Sequence, residues 1–146
     1  MKKILFYFSL ILLFIIPRYS IAMASNSDYT IQYLENGDYI VTEIISSNFN
    51  AKTSTSFDKR SFYYDQNHNL IFTTLLSATF DYSYGQHVSA TSSNITVNVT
   101  ASSAIFKSKT SHVSGNTAYG SGTVFYQGAN RTISSSISCD PYGNMH

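Results

Sequence analysis

The sequence predicts an all-β protein: an antiparallel β-sandwich of about seven to eight short strands, preceded by a cleaved signal peptide. Three observations predict it. After residue 24, apolar and polar residues alternate with period two in run after run, and no long window keeps the three-and-four spacing of a helix. Clusters of Gly, Asn, Asp and Pro punctuate these runs. Charged residues make up only 12% of the chain and aromatic residues 15%, with abundant Ser, Thr and Asn, the make-up of packed sheets with a hydroxyl-rich surface. Strands this short divide into two sheets around an inner layer about 10 Å thick.

The chain opens with Met1-Lys2-Lys3, then Ile4–Ile16, apolar except for Ser9, and Pro17. Ala22-Met23-Ala24 supplies a small-x-small site, so residues 1–24 read as a secretory signal cut between Ala24 and Ser25, with Ala22 the alternative. The apolar run has 13 residues, short of the roughly 20 that span a bilayer, which leaves an uncleaved signal anchor as the weaker reading. No cysteine follows the site to take a lipid, and no second apolar run follows, so the expectation is one secreted domain, residues 25–146, with no stable membrane anchor. Removing Lys2, Lys3 and Arg18 from nine basic residues leaves six against eight acidic ones. That balance lacks the basic footprint of a nucleic-acid partner.

The strands follow in order. Tyr29–Leu34 and Tyr39–Ile45 flank "ENGD", where Asn36-Gly37 predicts a two-residue type I′ turn. Thr53–Asp65 and Leu70–Tyr84 form a longer hairpin about "QNHN". In its second strand Leu70, Phe72, Leu76, Ala78, Phe80 and Tyr82 share one face, and Ile71, Thr73, Leu75, Ser77, Thr79 and Asp81 the other, which predicts a central strand over a core. "GQHVSATSS" reads as a loop. In "SNITVNVTASSA" Ile95, Val97, Val99 and Ala101 face inward, and Asn94, Thr96, Asn98 and Thr100 outward. Ala104–Thr110 continues after a bend, "SHVSGNT" reads as a loop, and Ala118–Gln127 is a strand whose Gly120 and Gly122 predict a bulge or a close backbone approach. After "GAN", Ile133, Ile137 and Cys139 alternate with hydroxyls until "DPYGN" turns the chain.

Motifs for chemistry are weak. Asp65-x-Asn67-x-Asn69 has the spacing that opens a calcium loop, but Leu70 and Leu76 stand where that loop needs Gly and Glu, so a hairpin turn is expected. His68, His87, His112 and His146 form no pair at ligand spacing, and no metal or other cofactor is expected. "AYGSGT" lacks nucleophile-elbow spacing. Glu35, Asp38, Asp58 and Asp65 fall at hairpin ends, where solvation explains them. Cys139 is the only cysteine, so it is either a small buried hydrophobe or half of an intermolecular bridge.

Aromatic residues are the better lead. Tyr63, Tyr64, Tyr82 and Tyr84 lie near strand ends, where rings could meet a sugar or a peptide. Adjacent residues point to opposite faces, so at least half of these rings belong to the core, and the lack of Trp weakens a lectin reading. The expected function is a non-enzymatic extracellular binding or surface-associated protein, its partner a glycan, a cell wall or a protein. The alternatives are a secreted hydrolase whose site is assembled only by the fold, and a membrane-active β protein with Ser134–Ser136 and the Asn/Thr face toward a lumen.

Four stretches, Gly37–Ile44, Tyr63–Gly85, His112–Val124 and Ser136–Asn144, resemble a family of uncharacterised small secreted proteins of Gram-positive bacteria, a domain of unknown function. The resemblance implies a bacterial, exported, single-domain β protein and brings no catalytic residues. It also implies a second cysteine shortly after the "F-x-Y" strand, where this chain has Gly85–Ala90. On that resemblance Cys139 is an orphan lying near the 86–92 segment. A bacterial source also removes ordinary glycosylation at the sequons of Asn94, Asn98 and Asn130.

Overall fold

The structure is a computed structural model describing residues 29–47 and 53–146, so the signal peptide expected at residues 1–24 and its Ala24–Ser25 cleavage site lie outside the described residues. Within them the chain forms eight strands and no helix: β1 (Tyr29–Tyr33), β2 (Tyr39–Ser47), β3 (Ser54–Tyr64), β4 (Leu70–Ser83), β5 (His87–Val99), β6 (Ile105–Ser114), β7 (Thr117–Tyr126) and β8 (Ala129–Ser138). All pairings are antiparallel. One sheet of five strands runs β1-β2-β3-β4-β5, and a second of three runs β6-β7-β8. Each is a meander, so every neighbour in a sheet is also a neighbour in sequence, and the sandwich is built from hairpins.

Alternation in β4 fixes which side each sheet buries. Phe72, Thr74, Leu76, Ala78, Phe80 and Tyr82 are buried, whereas Thr73, Leu75, Ser77 and Thr79 are half-buried and Asp81 is exposed. Ile71 departs from the outward position expected of it. The chain leaving β5 folds back there, with the Thr100 and Ala101 amides donating to the Ile71 carbonyl at 2.9 and 3.1 Å and Ala101 and Ala104 packing nearby. On β5 Ile95 is buried, Val97 and Val99 are half-buried, and Asn94, Thr96, Asn98 and Thr100 are exposed, the orientation read from the sequence.

The core has two apolar clusters. One gathers Phe57, Leu76, Phe80, Ile95, Ile137 and Cys139; the other gathers Ile40, Tyr63, Phe72, Val124, Tyr126 and Ile133. Between them runs a polar seam in which the Ser61 hydroxyl lies 3.0 Å from that of Thr42 and 3.4 Å from that of Ser135. The small sheet approaches closely because β7 carries two glycines on its inner side. A Cβ added at Gly120 would come within 2.8 Å of Leu76 Cδ1, and one at Gly122 within 2.6 Å of Val97 Cγ2. The close approach expected at these glycines is therefore what they provide.

Three local expectations change. "GQHVSATSS" is mostly the first half of β5, pairing Val88 with Tyr82 and Ala90 with Phe80, and "SHVSGNT" carries β6 to Ser114. Small polar residues hide the period in both stretches, and the neighbouring strand supplies the order. The type I′ geometry expected at Asn36-Gly37 occurs instead at Gln127-Gly128, where φ is 47° and 76° between paired Tyr126 and Ala129. At the first hairpin Gly37 alone has positive φ, the Gly37 amide donates to the Leu34 carbonyl at 3.0 Å and the Leu34 amide to the Asp38 carbonyl at 2.9 Å. That is a type I turn closed by a left-handed residue, and 65–69 and 140–144 repeat it, with His68 and Gly143 in the left-handed position.

Candidate functional site

On the outer face of the large sheet, alternation places Tyr29, Ile31 and Tyr33 of β1 beside Tyr39 and Val41 of β2 and Phe62 and Tyr64 of β3. The register aligns them into rows. Tyr33 pairs with Tyr39, which pairs with Tyr64; Ile31 pairs with Val41, then Phe62, Thr73 and Asn98. Ring centroids are 5.9 Å apart for Tyr33–Tyr39, 5.0 Å for Tyr39–Tyr64 and 6.5 Å for Phe62–Tyr64. His68, turned outward by its left-handed backbone, brings Nδ1 to 3.0 Å from the Tyr39 hydroxyl. The row ends at Tyr33, which is 76% exposed and so leaves one ring face open.

The electrostatics are mild. Burial, reinforced by the Tyr64 and Tyr33 phenols and by Asp65, pushes the Tyr39 phenol above the ordinary tyrosine range. At the rim Arg60 donates to Glu43 across the β2–β3 pair at 3.2 Å. Beyond it the same face turns mostly polar, through Thr73, Ser77 and Thr79 of β4, with Leu75 among them, to Asn94, Thr96 and Asn98 of β5. The face thus has an aromatic centre, an ion pair at its rim and an amide-hydroxyl border.

The turns that carry this face are anchored from beneath. Asp38 is buried and accepts from the Tyr63 hydroxyl at 2.7 Å, from Asn36 Nδ2 at 2.6 Å and from the Gln66 amide at 3.2 Å, with Arg131 Nε 3.6 Å away. Asp65 is buried and accepts from the Asn67 and Asn69 amides at 2.9 Å each, from Asn69 Nδ2 at 3.0 Å and from the Tyr126 hydroxyl at 3.2 Å. Burial raises the Asp65 carboxyl, but the bonds from Asn69, Asn67 and Tyr126 outweigh it and hold it below the usual carboxylate range. The Asp-x-Asn-x-Asn stretch is thus a turn whose carboxylate binds its own loop. Among the described residues, no group of three His, Cys, Asp or Glu side chains could hold a metal ion.

The four tyrosines singled out by sequence part company. Tyr63 and Tyr82 are only 1% and 5% exposed and drop out as surface rings. Tyr63 faces inward because it pairs with Phe72 of the buried face, and Tyr82 because it shares parity with Phe80. Tyr64 lies in the aromatic row. Tyr84 is exposed at the far end of β4, edge-on to Tyr142 at 5.5 Å. Tyr33, Tyr39, Phe62 and His68 were missed. Their signal was the hairpin register itself, since Tyr33 and Tyr39 are the pair that closes the "ENGD" turn.

Cys139 is fully buried, in one cluster with Ala90 and beside Val88, so its thiol cannot reach a second chain from the folded state. Burial first, and then Asp140, pushes the thiol above its ordinary value. A thiol reagent is therefore expected to leave Cys139 unmodified in native protein and to label it on unfolding; rapid native labelling would contradict the packing. Among the described residues, hollows also lie elsewhere. One of about 190 Å³ on the outer small sheet is lined by Thr110, His112, Tyr119, Ser121 and Ser134, and one of about 250 Å³ by Asp81, Tyr82 and His87. Neither brings a histidine together with two carboxylates. Compared with family models, with curated proteins and with solved structures, the chain matches none of them.

Proposed function

We propose that the chain is an exported, non-enzymatic binding protein that meets a partner protein through the outer face of its large sheet. The observation that carries this is the row Tyr33–Tyr39–Tyr64, in register across three strands, with Tyr39 and Tyr64 half-buried and Tyr33 76% exposed. Tyr39 and Tyr64 stack within 10° of parallel, so apart from the open face of Tyr33 these rings present edges and hydroxyls. Edges and hydroxyls suit the mixed apolar and hydrogen-bonding contacts of protein interfaces better than the open ring faces on which sugars stack. Buried Asp38 and Asp65 are engaged by their own turns, which leaves them as anchors. Export and a bacterial source are part of the proposal, supported by the N-terminal pattern and by the family resemblance.

The test is binding of labelled protein to intact producer cells and to the cells they meet. Binding is expected to saturate, to disappear when the target surface is treated with protease, and to weaken about 30-fold or more in a Tyr33→Ser/Tyr39→Ser variant, the scale of a lost hot spot. Binding that survives protease but is lost on periodate oxidation would transfer the site to a glycan. Undiminished binding by the double variant would remove this face from the function.

A further inference from the structure

We infer that two copies of this chain pair antiparallel through β1, joining their large sheets into one continuous sheet. The inference starts from the edges, because an unpaired strand edge is a template that proteins normally blunt. Three of the four edges are blunted. β6 carries Lys107 and Lys109 and an irregularity between Phe106 and Ser108. The β8 edge is occupied twice: Lys59 Nζ donates to the Ser136 carbonyl at 3.0 Å, and Ser138 exchanges backbone bonds with His146 at 3.1 and 2.9 Å. The β5 edge is met by the β6–β7 hairpin, through the Ala90 amide to the Gly115 carbonyl at 2.8 Å and the Ser111 hydroxyl to the Ser93 carbonyl at 3.0 Å. β1 has none of these devices. It carries no charge, proline or bulge, every residue in it is exposed, and its outer edge has no partner among the described residues.

The sequence of β1 says what fits there. Tyr29-Thr30-Ile31-Gln32-Tyr33 is a palindrome in residue class, aromatic, polar, aliphatic, polar, aromatic. A twofold axis through Ile31 sets Tyr29 opposite the second copy's Tyr33, Thr30 opposite its Gln32, and Ile31 opposite its own twin. The Tyr–Tyr pairs at both ends are favourable cross-strand pairs, and the other positions match polar with polar and aliphatic with aliphatic. The three apolar side chains share the outer face and are 63%, 45% and 76% exposed in the single chain, so pairing sets the most exposed side chains of the aromatic surface beside one another. The row Tyr64–Tyr39–Tyr33 then runs on into Tyr29 of the second copy. Because the twofold consumes both bare edges, assembly closes at two and does not propagate. Only five residues pair on each side, so the dimer is weak and concentration-dependent. This pairing holds whatever partner the aromatic face binds.

Sedimentation equilibrium of the purified protein over a range of concentrations tests it. The wild type is expected to show a reversible monomer–dimer equilibrium. Ile31→Lys and Ile31→Glu each set like charges across the axis and are expected to weaken association about tenfold or more. An equimolar mixture of the two variants sets opposite charges across the axis and is expected to associate more tightly than either alone. As a measurement that does not rest on the charged variants, Ile31→Cys is expected to yield a disulfide-linked dimer on mild oxidation, while wild type, its sole thiol buried, does not. A wild type monomeric at every soluble concentration would overturn the inference. So would variants that dimerise as the wild type does, or a mixture no tighter than its components.

Discussion

Replacing Asp38 with alanine is expected to lower the stability of the fold by about 3–5 kcal/mol, the range for removing one partner of a buried ionic contact. The loss is not of one bond. Tyr63, 1% exposed, would keep a buried hydroxyl with no acceptor, and Arg131 Nε, already without a hydrogen bond, would lose the carboxylate that offsets its charge. Asn36 and the Gln66 amide would lose their acceptors too, and these residues shape the turns beneath Tyr33, Tyr39 and His68. Asp38→Asn keeps an acceptor oxygen for Tyr63 while removing the charge, so it is expected to fall between wild type and Asp38→Ala. Urea unfolding of the three proteins checks the order; equal midpoints would show that the network contributes nothing.

The same network gives the fold a signature in alkali. Burial, together with the hydrogen bond to Asp38, pushes the Tyr63 phenol from the ordinary value of 10.0 to about 12. A raised folded value means that the native state holds this proton more tightly than the unfolded chain does. The associated stability is therefore complete below the unfolded value and is lost as pH rises from about 10 toward about 12. Other tyrosines titrate in this window, so the informative quantity is the difference between wild type and Tyr63→Phe, which should narrow there. At the acid end Asp65 acts with the opposite sign. Its lowered carboxyl adds stability above the usual carboxylate range, lost as pH falls through the depressed value.

How much of this was legible in the sequence depends on what each residue had for neighbours. On β4 and β5 the apolar side is continuous, so parity alone told inside from outside for Phe72, Leu76, Phe80 and Ile95. In "SFYYD" parity was powerless, because Tyr63 and Tyr64 are both aromatic and either could face inward. Only the pairing of Tyr63 with Phe72 decides it. Tyr82 was legible, since it shares parity with the buried row, although its nearness to a strand end also made it a candidate surface ring. The first turn misled because Asn-Gly favours a two-residue loop locally, while Asp38 is drawn inward to Tyr63 and Gln66 and holds a longer one. β1 showed its period but not that its outer edge has no partner among the described residues, which follows only from where the other edges are covered.

Gly122→Ala and Gly120→Ala are each expected to cost about 1–3 kcal/mol, since both add one methyl group to the same crowded inner face of β7. The two sites differ in what each new Cβ meets. At Gly120 the nearest atoms are Leu76 Cδ1 at 2.8 Å and Ile95 Cδ1 at 2.9 Å, the far ends of buried side chains, with Ile95 Cβ, which cannot rotate away, at 3.2 Å. At Gly122 they are Val97 Cγ2 at 2.6 Å and Thr74 Cγ2 at 3.1 Å, methyls carried directly on branched Cβ atoms with little rotamer freedom. Relief must then come from the backbone, by prying β7 away from β4 and β5 across the seam between the two apolar clusters. Val97→Ala removes the obstructing methyls at a modest cost, because Val97 is only half-buried. The double variant Gly122→Ala/Val97→Ala should therefore be more stable than the sum of the two single losses predicts. Strict additivity in denaturant unfolding would mean that Val97 is not what Gly122 makes room for, and the close approach of the two sheets would need another cause.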